Sequence, residues 1–190
     1  IEVISKRSLD GVFIIDMDSD SFKTLSKQYY VPIVLVDGYL EDEFFFKVFP
    51  DYKSAFIKAK EILGEELYII FEDYANAYLL ESAQKEFLPQ NIFVNSHSSN
   101  LPEFLQKHQH QKGVVIGEIL GMQVEHYVDN RNLVVISSFE NSYLLLPDTK
   151  RIVISNREKA NKAAKVMEML IQLEDDEKTL KNILIGLHGI

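Results

Sequence analysis

Short runs of Val, Ile, Leu and Phe recur along the chain and constrain its fold more than any other feature. Several runs are apolar at nearly every position instead of alternating between apolar and polar residues. Strands that are buried on both faces have this pattern, and they occur in parallel sheets covered by helices. The predicted strands lie at residues 11–16, 32–37, 44–49, 67–72, 91–95, 113–117, 133–137, 151–155 and 183–187.

The segments between these runs have the apolar spacing of amphipathic helices. Gly64 and Pro89 follow two of the segments as helix stop signals. Asn100 with Glu103, and Ser155 with Glu158, have the spacing of a capping box. Because strand and helix alternate, the sequence predicts an α/β fold built from βαβ units with right-handed crossovers. The predicted helices lie at residues 21–29, 53–63, 76–87, 101–108, 119–128 and 157–173.

Charge and composition exclude several classes of protein. The formal net charge is −9, and no cluster of basic residues interrupts the acidic surface, so we expect these residues to repel a phosphate backbone. The chain has no cysteine, which excludes disulfides and fits a reducing cytosol. No stretch approaches the ~20 apolar residues of a membrane span. We therefore expect a cytoplasmic protein without membrane contact.

The order of the motifs resembles that of the LacI/GalR family of transcription regulators. Residues 10–15 read DGVFII, like the family's DGII strand, and residues 31–37 read VPIVLVD, like its iPvVlvD strand. The next strand ends in VFPD, similar to the family's V-x-x-D. Later segments resemble a strand followed by ND-x-x-A, a strand followed by GfDd, the P-x-LTTv segment and a G-x-x-A-x-x-x-L helix; they lie at residues 114–121, 134–141, 147–153 and 157–173.

The resemblance spans essentially the whole chain and implies a two-lobed, periplasmic-binding-protein-like fold with parallel sheets flanked by helices. The family's sensor domain begins with a further pair of βα units, so the N-terminal lobe is expected to be truncated here. Residues 1–65 are assigned to part of the N-terminal lobe and residues 66–140 to the C-terminal lobe. Residues 141–190 are expected to return to the N-terminal lobe as its closing helix and strand.

The function that the resemblance implies is that of an effector-sensing and dimerisation domain, from a regulator that acts as a repressor. A small, sugar-like ligand is expected to enter the cleft between the lobes and favour their closure. The partners implied are this effector and a second copy of the chain, as a homodimer. DNA is contacted only through a segment outside this chain. The resemblance implies no enzymatic activity, no cofactor and no metal.

Candidate ligand contacts lie where predicted strands end, because ligands of α/β sheets collect at the carboxyl ends of strands. Glu118 and Glu140 occupy positions that resemble the family's contacting residues, in its ND and GfDd motifs. Asp16 and Asp37 end two other strands. Tyr74 lies near a strand–helix junction, where an aromatic ring can stack on the face of a sugar.

Leu79 falls where the family has the pocket arginine of its R-x-x-G-F motif. A guanidinium is a bidentate partner for hydroxyls and phosphates, and leucine cannot replace it. The ND pair is likewise replaced, by Gly117 and Glu118. These departures imply either an unusual ligand or a sensor that acts mainly as a dimerisation scaffold.

Two other functions remain open at this point. A solute-binding protein of a sugar importer shares the fold, but it requires an export signal, and residues 1–10 lack the apolar run of one. An Mg²⁺-dependent phosphatase would use Asp16 as nucleophile and Asp18 as general acid, because an apolar strand precedes this D-x-D. Ser19 and Asp20 stand where such enzymes have Gly and Thr, which favours an acidic, helix-capping loop.

Four histidines raise the possibility of a metal site. His108 and His110 are two residues apart, so a helix would place them on different faces. Neither an HExxH motif nor a cysteine accompanies them or His97 and His126. We therefore interpret all four as surface or loop residues.

Overall fold

The computed structural model describes residues 9–15, 17, 19–26, 31–38, 45–73, 77–140, 143–172 and 182–187. Its strands are β1 Val12–Ile15, β2 Ile33–Val36, β3 Phe46–Pro50, β4 Leu67–Glu72, β5 Ile92–Asn95, β6 Lys112–Ile116, β7 Leu133–Ser137, β8 Lys150–Val153 and β9 Asn182–Ile185. Its α-helices are α1 Ser19–Ser26, α2 Tyr52–Leu63, α3 Ala77–Glu86, α4 Leu101–Lys107, α5 Glu118–Val124 and α6 Asn156–Ile171. Short 3-10 turns at Pro89–Asn91 and Asn130–Asn132 lead into β5 and β7.

The strands form two sheets in which every pairing is parallel, as the apolar runs predict. The first sheet has the order β1-β2-β3-β9, and the second has the order β5-β4-β6-β7-β8. Helices connect β1 to β2, β4 to β5, β5 to β6 and β6 to β7, and the predicted α/β class with parallel sheets flanked by helices is confirmed. Within the described residues, no helix is both long and apolar enough to cross a membrane.

The chain divides into two compact units, each with its own sheet. The first unit contains the described residues within 1–50, 76–78 and 156–185; the second contains those within 51–75, 79–155 and 186–190. The lobe boundaries predicted from the sequence, after residues 65 and 140, stay a prediction. Helix α2 belongs to the second unit because it packs on β6, β7 and β8, and β8 is itself the edge strand of that sheet.

The first unit is built around β2, in which all four side chains are buried. Helix α1 places Phe22 and Leu25 in an apolar cluster with strand residues that include Ile14 and Leu35. Helix α6 contacts β2, β3 and β9. Met167 of this helix lies so close to Gly11 that a Cβ there would be 2.3 Å from its sulfur, so a larger residue at position 11 would require the Met167 side chain to move.

The second unit buries its sheet on both faces. One face packs with α4 and α5 through a core cluster of Tyr68, Ile70, Leu101, Leu105, Val115, Leu120, Val124, Leu133 and Val135. Val114 and Val134 point to the opposite face, because successive strand side chains alternate, and both are fully buried. Coverage on both faces is the physical reason that these strands read as continuous apolar runs.

Helix ends in the second unit follow the predicted signals. The carboxylate of Asp51 accepts from the backbone N–H of Ser54 and begins α2, and Gly64, at φ +106°, ends that helix. The side chain of Asn100 accepts from the N–H of Glu103, while its own amide donates to the Glu103 carboxylate at 3.2 Å. The predicted cap by Asn100 is therefore present at the start of α4, and the Glu103 carboxylate reaches back to the side-chain amide of Asn100, whereas a capping box uses the backbone N–H.

Candidate functional site

The carboxyl ends of the second sheet bring together three glutamates that we name the acidic edge: Glu72, Glu118 and Glu140. Glu72 ends β4, Glu118 begins α5 just after β6, and Glu140 follows β7. The strand order reverses between β4 and β6, because the chain goes from β4 to β5 on one side and then to β6 on the other. In α/β sheets this switch point is where ligands bind.

Glu118 follows a turn at Gly117, whose backbone has a positive φ angle. Gly117 has φ +96° and donates its N–H to the carbonyl of Ile136 at 2.9 Å, which holds the end of β6 beside β7. The carboxylate of Glu118 accepts a short hydrogen bond from the hydroxyl of Ser137, which is 1% exposed. One oxygen of this carboxylate is therefore occupied, and the group is fixed in orientation at the sheet edge.

Glu140 makes a similar contact one strand further along. The hydroxyl of Ser155 donates to its Oε1 at 2.9 Å, and Ser155 is 1% exposed although Glu140 itself is exposed. The neighbouring backbone is held by the N–H of Ile154, which donates to the carbonyl of Ser137 at 2.9 Å. At two places on the edge, a buried serine therefore hydrogen-bonds a glutamate carboxylate: Ser137 bonds Glu118, and Ser155 bonds Glu140.

Glu72 is paired differently from the other two glutamates. The side-chain amide of Asn95 donates to its Oε2 at 2.9 Å, and the N–H of Asp73 donates to the Asn95 carbonyl at 3.0 Å. These bonds join the carboxyl ends of β4 and β5. The acidic edge therefore presents carboxylates that accept hydrogen bonds, and its chemistry suits ligands that carry hydroxyl donors.

Ser137 and Ser155 are site residues that the sequence reasoning missed. Each is a buried polar residue at the end of an apolar run, and Ser155 had been interpreted as a helix cap. A serine that closes a run of fully buried strand residues is a usable signal, because a buried hydroxyl needs a hydrogen-bond partner nearby.

In the first unit, Asp37 lies beside a separate cavity that we name the first-unit cavity. Asp37 follows β2, has φ +61° and lies with its Oδ1 2.5 Å from the Nζ of Lys159 in α6. Lys159 is only 7% exposed. The cavity has a volume of about 380 Å³ and is lined by Phe13, Ile15, Val36, Asp37, Asn156, Lys159, Ala160, Ala163 and Ala164.

The remaining predicted contacts are placed as follows. Leu79 lies in the part of α3 that belongs to the second unit, and its side chain is buried. Asp16, Asp18 and Tyr74 lie outside the described residues. The structure brings Glu118 and Glu140 to one edge, and a role in ligand binding remains a prediction for each residue proposed from the sequence.

The histidines do not gather with other possible metal ligands in the part of the chain that the structure describes. His108 instead ends α4, where its Nδ1 lies 2.8 Å from the carbonyl of Phe104 and its ring packs against the Phe104 ring. The described residues therefore give no candidate metal centre.

Comparison with known proteins finds similarity in structure but not in sequence. No protein-family model matches the chain, and no curated protein matches it in sequence. Among solved structures, the transcription regulator CcpA of Lactococcus lactis has a TM-score of 0.73 at 17% identity, covering 98% of this chain and 78% of its own. A LacI transcriptional regulator from Lactobacillus brevis has a TM-score of 0.70 at 14% identity, covering 98% and 80%.

A third solved structure is a sugar-binding transcriptional regulator of the LacI family from Escherichia coli, complexed with phosphate. Its TM-score is 0.69 at 14% identity, and the match covers 99% of this chain and 78% of that one. The similarity thus extends over nearly all of the chain and includes both parallel sheets. The chain has the periplasmic-binding-protein-like α/β fold of LacI-family transcription regulators.

Proposed function

We propose that this chain is the effector-sensing domain of a LacI-type transcription regulator that acts as a repressor in the cytoplasm. The observation that carries the proposal is the fold itself, which matches regulators of this family over 98–99% of the chain. An effector would bind and shift the domain between conformations, and DNA would be contacted through a different segment of the protein. The domain would act by binding, without catalysis.

The ligand that suits the acidic edge is a small polyhydroxyl compound such as a sugar. Glu118 and Glu140 both accept a serine hydroxyl, and a carboxylate has about four acceptor positions, so the carboxylate of Glu118 keeps capacity for ligand hydroxyls. The Escherichia coli neighbour is itself a sugar-binding regulator. Carboxylates repel a phosphate group, so a neutral sugar is favoured over a sugar phosphate at this edge.

The sugar hypothesis is tested by calorimetric titration of a panel of neutral monosaccharides and disaccharides. We expect one member to bind, and Glu118→Gln or Glu140→Gln to weaken it by about tenfold or more, since a hydrogen bond to a charged group contributes about 1.5–3 kcal/mol. Glu65→Gln, at an exposed position between α2 and β4, is the matched control. Binding that is unchanged in both edge variants would contradict the assignment of the acidic edge.

Self-association is proposed through an exposed apolar patch on the second unit, formed by Ile119, Met122, Tyr143, Leu144 and Leu146. Ile119 is 65% exposed and Tyr143 is 95% exposed. The two segments are adjacent because the carboxylate of Glu125 in the turn after α5 accepts from the N–H of Leu146 at 3.1 Å. Large exposed apolar patches on soluble proteins are typical of protein–protein interfaces.

A charge placed in the apolar patch tests this surface. Ile119→Asp combined with Leu144→Asp is expected to convert a dimer into a monomer, because a carboxylate buried without a partner destabilises an interface. Ile171→Asp, at an exposed apolar position in the first unit, is the control. Sedimentation velocity measures the result, and a wild-type chain that stays monomeric at high concentration would refute the homodimer.

The regulator role is tested outside this chain, in the coding sequence on the 5′ side of Ile1. A basic helix-turn-helix segment there, of about 50–60 residues, is expected. A secretion signal would instead support the solute-binding protein, which the structural neighbours do not favour. They also do not favour the phosphatase, and p-nitrophenyl phosphate hydrolysis that disappears in Asp16→Asn would overturn the non-catalytic assignment.

A further inference from the structure

The first-unit cavity has walls of a different chemistry from the acidic edge. Six of its nine lining residues are apolar. Phe13 and Ile15 are 46% and 67% exposed, so the strand side of the cavity presents large apolar groups that no described residue covers. On the helix side, Ala160, Ala163 and Ala164 have small side chains, which leave the volume open. Such walls offer few hydrogen-bond partners to a sugar.

One part of the cavity lining is charged. Lys159 is 93% buried, and among the described residues its ammonium contacts a single acceptor, Asp37, at 2.5 Å. An ammonium has three N–H donors, so two remain after this contact. Asn156 lines the same cavity and adds a further side-chain amide. The polar part of the lining therefore offers donors from Lys159 and Asn156 beside the Asp37 carboxylate, which already holds the ammonium.

We infer that the first-unit cavity binds a small amphipathic carboxylic acid, whose aliphatic or aromatic body lies against Phe13, Ile15 and the alanines. Its carboxylate accepts hydrogen bonds from Lys159 and Asn156. A volume of about 380 Å³ is within the range of small-molecule pockets. Lys159 is paired with Asp37, so its selectivity for a carboxylate rests on the N–H donors that this contact leaves, which a neutral alcohol uses less strongly than a carboxylate does. The site does not depend on what the acidic edge binds.

The experiment uses octanoate and 1-octanol, which share an apolar body and differ in the charge of the head group. Calorimetric titration of the whole chain is expected to show saturable octanoate binding, at least tenfold tighter than octanol binding. Lys159→Met keeps the length of the side chain and removes the ammonium. It is expected to abolish the preference for octanoate, while octanol binding stays within about twofold, because the apolar wall is intact.

A second variant tests the location of the site. Ala160 and Ala164 are exposed positions of α6, so Ala160→Leu with Ala164→Leu fills the cavity without entering the core. This double variant is expected to weaken both ligands at least tenfold. Ala77→Leu, an exposed alanine of α3 outside the lining, is the matched control and is expected to bind as the wild type does. Circular dichroism verifies that each variant is folded.

Three results would overturn the inference. The first is the absence of saturable octanoate binding to the wild-type chain. The second is octanoate binding that persists unchanged in the folded Ala160→Leu, Ala164→Leu variant, which would place the ligand elsewhere. The third is equal binding of octanoate and octanol, which would show that Lys159 does not select a carboxylate.

Discussion

The hydroxyl of Tyr68 allows a sharp test of how the second unit is packed. Tyr68 is 1% exposed, and its ring packs edge-on against Phe104 at a centroid distance of 5.7 Å. Among the described residues its hydroxyl has no hydrogen-bond partner. A buried hydroxyl without a partner costs about 1–3 kcal/mol. Removal of the oxygen leaves a small void, so Tyr68→Phe is expected to raise the free energy of unfolding at neutral pH by only about 1 kcal/mol.

Alkaline pH should enlarge the stability advantage of Tyr68→Phe over the wild type. Burial raises the pKa of Tyr68 from the ordinary value of 10.0 to about 12. As the pH rises, the phenol of Tyr68 therefore loses its proton in the unfolded chain before it does so in the folded chain. The free energy of unfolding is unaffected by this proton below pH 10, and it falls as the pH rises from 10 toward 12. Each pKa unit corresponds to 1.36 kcal/mol, so the free energy of unfolding falls by about 2–3 kcal/mol in full. About 1 kcal/mol of this loss has occurred at pH 11.

Urea unfolding followed by far-ultraviolet circular dichroism measures both effects. The advantage of Tyr68→Phe over the wild type should grow from about 1 kcal/mol at pH 7 to about 2 kcal/mol at pH 11. Tyr127→Phe is the matched control, since Tyr127 is 55% exposed and its substitution should have little effect at either pH. A loss of stability at pH 7 in Tyr68→Phe would show that the hydroxyl is hydrogen-bonded, and the reasoning would fail.

Three further substitutions separate steric, backbone and electrostatic effects. Gly113→Ala places a Cβ 2.1 Å from the ring of Tyr68, so thermal unfolding should show a loss of about 1–3 kcal/mol or more. Gly117→Ala meets no atom within 4 Å, and the φ of +96° alone should cost about 1–3 kcal/mol in the same assay; an unchanged stability would contradict this. The Arg131 side chain lowers the pKa of Asp129 to about 2, so Arg131→Gln should raise that pKa in an NMR titration, and an unchanged pKa would contradict this.

The sequence predicts the elements well because burial on both faces leaves a continuous apolar signature. Strands β4 and β7 begin and end at the predicted residues. Strand β6 begins one residue early, at Lys112, whose long side chain carries its ammonium to the carbonyl of Leu63 at 3.0 Å. A charged residue at a strand start breaks the apolar pattern although its backbone pairs normally, so the pattern places the boundary too late.

The order of the strands and the partners of the site residues lie beyond local patterns. Nothing near Asp37 in the sequence indicates Lys159, because the two meet only when α6 packs on the first sheet. Glu118 and Glu140 could be predicted as edge residues from the strands that precede them. Their contacts with Ser137 and Ser155 depend on which strands become neighbours, and only the folded sheet determines that.

The pairing of β3 with β9 has a consequence for synthesis on the ribosome. The second sheet is continuous in the chain from β4 to β8, so all of its strands emerge before α6 is made. In the first sheet, β3 lacks its partner β9 while the entire second sheet is translated, because β9 follows the second sheet in the chain. The second unit can therefore fold during elongation. The first keeps an unpaired edge at β3 until β9 has been translated, and this edge is exposed to aggregation and to chaperones until then.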